Sequence, residues 1–81
     1  MNRDLLLERI EINPKILTGK PIIKGTRLSV QFIVGLLAQG MSINDILAEY
    51  QNLKQEDILA CLWFATQVLE SNTFIPLDKS A

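Results

Sequence analysis

Apolar residues recur along this chain with two different periods. Arg9-Ile10-Glu11-Ile12-Asn13 alternates polar with apolar, the period of a half-buried strand with Ile10 and Ile12 inward. Asn13-Pro14 opens a turn and Thr18-Gly19 closes the connection. Pro21-Ile22-Ile23 predicts a short second strand, its proline suited to a strand start or an edge. Alternation puts Lys20, Ile22 and Lys24 on one face and Ile23 on the other. Gly25 closes the segment where the backbone needs a positive φ or a close approach.

From Leu28 onward the period is helical, and one pattern of start occurs three times. Leu28-Ser29 precedes Ile33, Met41-Ser42 precedes Ile46, and Leu53-Lys54 precedes Ile58. Each is an apolar residue, a cap position, then an apolar residue one turn in, which is hydrophobic-staple spacing. Ser29 and Ser42 are acceptors for the free N–H groups of a first turn, and Asp45 makes the second site close to a capping box. Lys54 cannot accept, but Glu56 and Asp57 favour a helix N-terminus through the macrodipole. Three helices are expected, over about residues 30–39, 43–50 and 55–71, with Gly40 as the stop of the first. In the third, Ile58, Leu62, Ala65 and Leu69 line one side. Glu56, Ala60, Trp63, Gln67 and Glu70 form a polar stripe in which Trp63 is the odd member.

The predicted fold is therefore mostly α: a short N-terminal β-hairpin followed by a three-helix, helix-turn-helix bundle. One domain spans 1–71, and an extended arm, 72–81, carries Phe74, Ile75 and Leu77 around Pro76. Such an arm folds back, swaps onto a dimer mate or adds to a partner.

Composition adds two points. With 81 residues and 48% hydrophobic residues the core is thin and few residues remain to cover it, which favours a homodimer. The third helix and Trp63 are the expected interface elements. Net charge is −1, but residues 1–30 carry six cations against three acids, and residues 31–81 two cations against six acids. Such a split marks either a basic face for nucleic acid and an acidic one for another partner, or two ordinary solvated faces. Cys61 is the single cysteine, and the three leucines at 5–7 are too few for a signal peptide or a membrane span. The expectation is a cytoplasmic protein away from membranes.

Candidate chemistry is sparse. Histidine is absent, which removes the commonest general base and metal ligand. Cys61, inside an apolar helix, reads as a small core residue. Gly19-Lys20 and Gly25-Thr26 do not match phosphate-loop spacing. No catalytic residue, metal ligand or cofactor is assigned, and the expected protein is not an enzyme. The second helix, turn and third helix have helix-turn-helix proportions, with Lys54 and Gln55 leading the recognition helix; an ordinary bundle corner is the alternative. Glu56 and Asp57 at that start would repel phosphates. The segment from Gly19 to Arg27 carries Lys20, Lys24 and Arg27 without an acid and is the better electrostatic candidate.

Gly19-Lys20-Pro21-x-Ile23-Lys24-Gly25-Thr26-Arg27-Leu28-x-Val30 resembles the signature of the bacterial and archaeal domain-of-unknown-function family 433, DUF433. The likeness continues through Ala38-x-Gly40-x-Ser42, Ile46-Leu47-x-x-Tyr50, Leu53, Glu56-Asp57-Ile58 and Leu62-x-Phe64-Ala65, over about residues 9–66. The sequence departs from the family pattern at Gln51, usually proline, and at Lys54, usually threonine or serine. The resemblance implies a homeodomain-like helix-turn-helix protein, and many members look like VapB-type antitoxins encoded beside PIN-like ribonuclease toxins. It transfers no catalytic residue. What it implies here is an antitoxin-like regulator that binds operator DNA and neutralises a PIN-like toxin. The alternative is a protein-interaction or dimerisation module without DNA binding.

Overall fold

The computed structural model describes residues 3–71. The predicted hairpin and all three helices are present, with one further helix before them. In chain order the elements are α1 (Arg3–Leu7), β1 (Ile10–Ile12), β2 (Pro21–Ile23), α2 (Val30–Ala38), α3 (Ile43–Glu49) and α4 (Gln55–Ser71), with a 3-10 turn at Leu17–Gly19 inside the hairpin connection. The arm expected at 72–81, with Phe74, Ile75 and Leu77, lies outside the described residues.

β1 and β2 pair antiparallel, Ile10 opposite Ile23 and Ile12 opposite Pro21. Their connection is long because it turns twice. The Asn13 side chain accepts from the Lys15 N–H at 2.9 Å, and the 3-10 turn then holds both Leu17 and Thr18 in the left-handed region, φ 50° and 54°. Behind β2 the chain reverses at once. The Thr26 N–H donates to the Ile23 carbonyl at 3.0 Å, with Gly25 at φ +82° supplying the left-handed position. The Thr26 hydroxyl donates to the same carbonyl at 2.7 Å and accepts from the Leu28 N–H at 3.0 Å. The returning chain lies beside β2, with the Ile23 N–H donating to the Leu28 carbonyl and an Ile22–Ser29 bridge. That third run explains the first departure from expectation: Ile22 and Ile23 are both buried instead of facing opposite environments. Ile12, expected inward, is 61% exposed, because it ends a three-residue strand opposite only Pro21.

The helix starts are built as their sequences indicate. Ser29 Oγ accepts from the Phe32 N–H at 2.9 Å. Ser42 and Asp45 make both bonds of a capping box, each 3.0 Å. α2 ends in a complete Schellman motif, with the Met41 N–H on the Leu36 carbonyl, the Gly40 N–H on the Leu37 carbonyl, and Gly40 at φ +104°. At α4, Asp57 substitutes for the missing cap: its Oδ2 accepts from the Lys54 N–H at 2.9 Å.

Ile23, Val30, Ile33, Ile46, Leu53, Ile58 and Cys61 form the buried core, joined by partly buried Leu28, Met41, Tyr50 and Phe64. The stapling residues at all three helix starts thus belong to one cluster. Phe32 and Tyr50 meet edge to face, ring centres 6.0 Å apart, and tie α2 to the end of α3.

The sequence predicted no element before Arg9. A five-residue helix is too short to hold by propensity alone, and α1 exists because it packs on α4, burying Leu6. It covers part of the stripe expected to be polar and solvated. Ala60 is fully buried and Trp63 half-buried. The apolar side of α4 is corrected in turn: Leu62 and Leu69, expected inward, are exposed.

Candidate interaction surfaces

Most of the Gly19–Val30 segment is committed to the fold. Gly19 and Gly25 hold positive φ, Thr26 ties the turn, Ser29 caps α2, and Ile23 and Val30 lie in the core. What remains is charge. Lys20, Lys24 and Arg27 are exposed, and their side chains make no hydrogen bond or ion pair among the described residues. Lys54 and Gln55 are likewise exposed, at the start of α4.

These five residues are not one site. Lys24 faces an open cleft of about 660 Å³ between α1 and the start of α4, where it meets Arg9, Glu8, Glu56 and Asp57. Lys54 and Gln55 immediately precede those two acids, so Lys24, Lys54 and Gln55 fall at one end of the molecule. Lys20 lies elsewhere, at the lip of a groove between α2 and α4. Arg27 is exposed in the turn between β2 and α2 and lines neither hollow.

Within the first cleft the acids are unequal. Asp57 is 8% exposed; its Oδ1 accepts from the Arg9 guanidinium at 3.0 Å while its Oδ2 caps α4. Its charge is therefore matched twice inside the protein. Glu56 is half-buried at the cleft and Glu8 is exposed. Sequence reading assigned Asp57 to helix-start electrostatics but did not supply Arg9, which is 48 residues away.

The second surface is apolar. The α2/α4 groove, about 540 Å³, is lined by Val34, Gly35 and Ala38 from α2 and by Phe64, Val68 and Leu69 from α4, with Lys20 the charged residue at its edge. A shallower hollow over Phe32 and Leu36 shares Gly35 and Lys20 with it. The third helix, α4 here, was expected at an interface, but nothing in the sequence marked its α2 side.

Two residues singled out from sequence differ in their surroundings: Trp63 is half-buried and Cys61 fully buried. Trp63, expected at a dimer interface, has an intramolecular partner: the Arg3 guanidinium stands 4.9 Å from the ring centre. The buried indole Nε1–H makes no hydrogen bond among the described residues. Cys61 is fully buried, and burial, reinforced by the Asp57 charge, pushes its thiol up to about 12. Fully buried and held protonated, Cys61 packs as a small core residue. Among the described residues no group of three or more acids or cysteines is placed to hold a metal ion, and no helix is long and apolar enough to cross a membrane.

A family model described as "Protein of unknown function (DUF433)" matches residues 10–65. The fold is similar to the crystal structure of a DUF433 member protein from Anabaena variabilis. That similarity has a TM-score of 0.74 at 31% identity, over 84% of this chain and 67% of the other. No curated protein matches the chain.

Proposed function

Because this chain belongs to the DUF433 family, a family described as one of unknown function, we propose that it is a non-catalytic cytoplasmic regulator of the antitoxin type, which contacts operator DNA and holds a PIN-like ribonuclease inactive. The observation that supports the DNA contact is the disposition of charge at the start of α4, while the nuclease partner is what the likeness to VapB-type antitoxins implies. Of the two acids that would repel a phosphate there, Asp57 is turned inward and engaged by Arg9 and the Lys54 N–H. Lys54 and Gln55 stay exposed, and Lys24 stands across the cleft. Preceded by α3 and the turn at 50–54, α4 has the proportions of a recognition helix whose first residues enter a major groove. Lys24 and Arg27 then supply phosphate contacts, with Lys54 and Gln55 at phosphate or base edges.

The test is co-expression with a neighbouring PIN-like ribonuclease, paired with a mobility shift on DNA upstream of the chain's own gene. The reading expects growth rescue, inhibition of RNA cleavage in vitro and a salt-sensitive shift. A chain that neither binds the nuclease nor shifts that DNA overturns it. One observation favours a second reading, a protein-interaction module without DNA binding: Glu8 and Glu56 face the same cleft as Lys24 and lower its positive potential. Nuclease binding without a shift selects that reading.

A further inference from the structure

We infer that α4 selects A·T pairs: Gln55 takes an adenine edge and Leu59 and Leu62 take thymine methyl groups, within a short A·T-rich half-site. The inference rests on the reading of α4 as a recognition helix and adds the class of sequence it selects. Asp57, Ile58, Ala60 and Cys61 are buried, which fixes the outer face of α4 on the opposite side. At 100° per residue Gln55, Leu59, Leu62 and Thr66 fall within about 60° of one another, at the centre of that outer face. Gln55 and Leu62 are exposed and Leu59 is half-buried, and neither leucine belongs to the buried core. Glu56 lies about 100° round the helix from Gln55, where it lines the cleft beside α1. Both acids at the start of α4 are thus off this face.

What the face offers decides what it reads. The Gln55 side chain makes no hydrogen bond among the described residues. Its amide carries donor and acceptor side by side, the pattern that pairs with N7 and the N6 amino group of adenine in the major groove. The Thr66 hydroxyl donates back to the Leu62 carbonyl at 3.0 Å, so its proton is already used. Leu59 and Leu62 are apolar, and of the four bases only thymine presents a methyl group in that groove. The face has neither a cation for guanine O6 and N7 nor a carboxylate for the cytosine amino group. From Gln55 to Leu62 the helix rises roughly 10 Å, about three base-pair steps. Lys54 and Lys24, exposed at the same end and outside this face, match the charge of the flanking phosphates.

Selection of binding sites from a pool of random duplexes by the full chain tests the inference, followed by affinity measurements on the selected duplex. The selected half-site should carry a run of about three A·T pairs. Replacing thymine by uracil in that run removes only methyl groups, and should weaken binding about fourfold per contacted methyl. Gln55→Ala should lose the adenine preference at one position and weaken binding about tenfold. Leu62→Ala should bind the thymine and uracil duplexes more nearly alike. Both residues are exposed, so both variants should melt as the wild type does. Selected sites with G·C pairs throughout that run, or salt-sensitive binding with no base preference, overturn this inference and leave the DNA-contacting role standing. An A·T preference that survives both uracil and Gln55→Ala also overturns it, since the readout then lies elsewhere. No salt-sensitive binding to any duplex overturns the inference and that role together.

Discussion

At the scale of single residues, backbone conformation decides more than side-chain identity. Gly40 holds φ +104° because two N–H groups must turn back onto the last carbonyls of α2. A Cβ there would meet open space, so the penalty of a substitution is conformational alone. Gly40→Ala should lower stability by about 1–2 kcal/mol, read as a shifted urea midpoint at constant slope. Cys61 gives a second expectation. With its thiol buried and pushed up to about 12, it should react with a disulfide reagent at pH 8 only as fast as the chain opens. Labelling of the native protein at the rate of a free thiol would place Cys61 outside the core.

At the scale of elements, the caps hold the helices and tie them to the hairpin. Asp57 does both. Asp57→Ala removes the α4 cap and leaves Arg9 without its partner, and should cost about 2 kcal/mol. Arg9→Ala should cost less, because that side chain is 36% exposed and water screens the pair. In a double-mutant cycle the two losses should fall short of additivity; full additivity would show that the two side chains do not interact. The α3 box gives a pH signature. Hydrogen bonds from the Ser42 backbone N–H, chiefly, and from the Ser42 side chain hold Asp45 below its ordinary 3.8. A lowered folded-state value contributes stability above pH 3.8 that is lost as pH falls through the folded value. Acid titration of amide protection in α3 should therefore show a loss below about pH 4 that Ser42→Ala reduces. These elements also divide what the sequence disclosed from what it did not. The staples fixed the starts of α2, α3 and α4, because a staple and its cap are local. α1 was not legible, since its main support among the described residues is an α4 surface far along the chain. Ile22 was misplaced for a similar reason: the two-residue period assumes a sheet covered on one face, and the return at Leu28–Ser29 covers the other.

At the scale of the whole molecule, the fold separates an end where Lys24, Lys54 and Gln55 gather from a long apolar groove edged by Lys20. Sequence identified the five candidate polar residues but grouped them by position in the chain, joining Lys20 to Lys24 although they face different hollows. It also counted Asp57 against nucleic-acid contact, because the Arg9 pairing that internalises its charge spans 48 residues. The groove itself needed α2 and α4 in register and could not be read beforehand. The most direct measurement of the proposed role is the salt dependence of binding to duplex DNA from upstream of the chain's own gene, for wild type and for Lys24→Ala/Arg27→Ala. Wild type should bind with a linear fall of log K against log salt, and the double variant should flatten that slope by about 2 units while binding more weakly to every sequence. An unchanged slope, or no salt-sensitive binding at all, would contradict a DNA-contacting role.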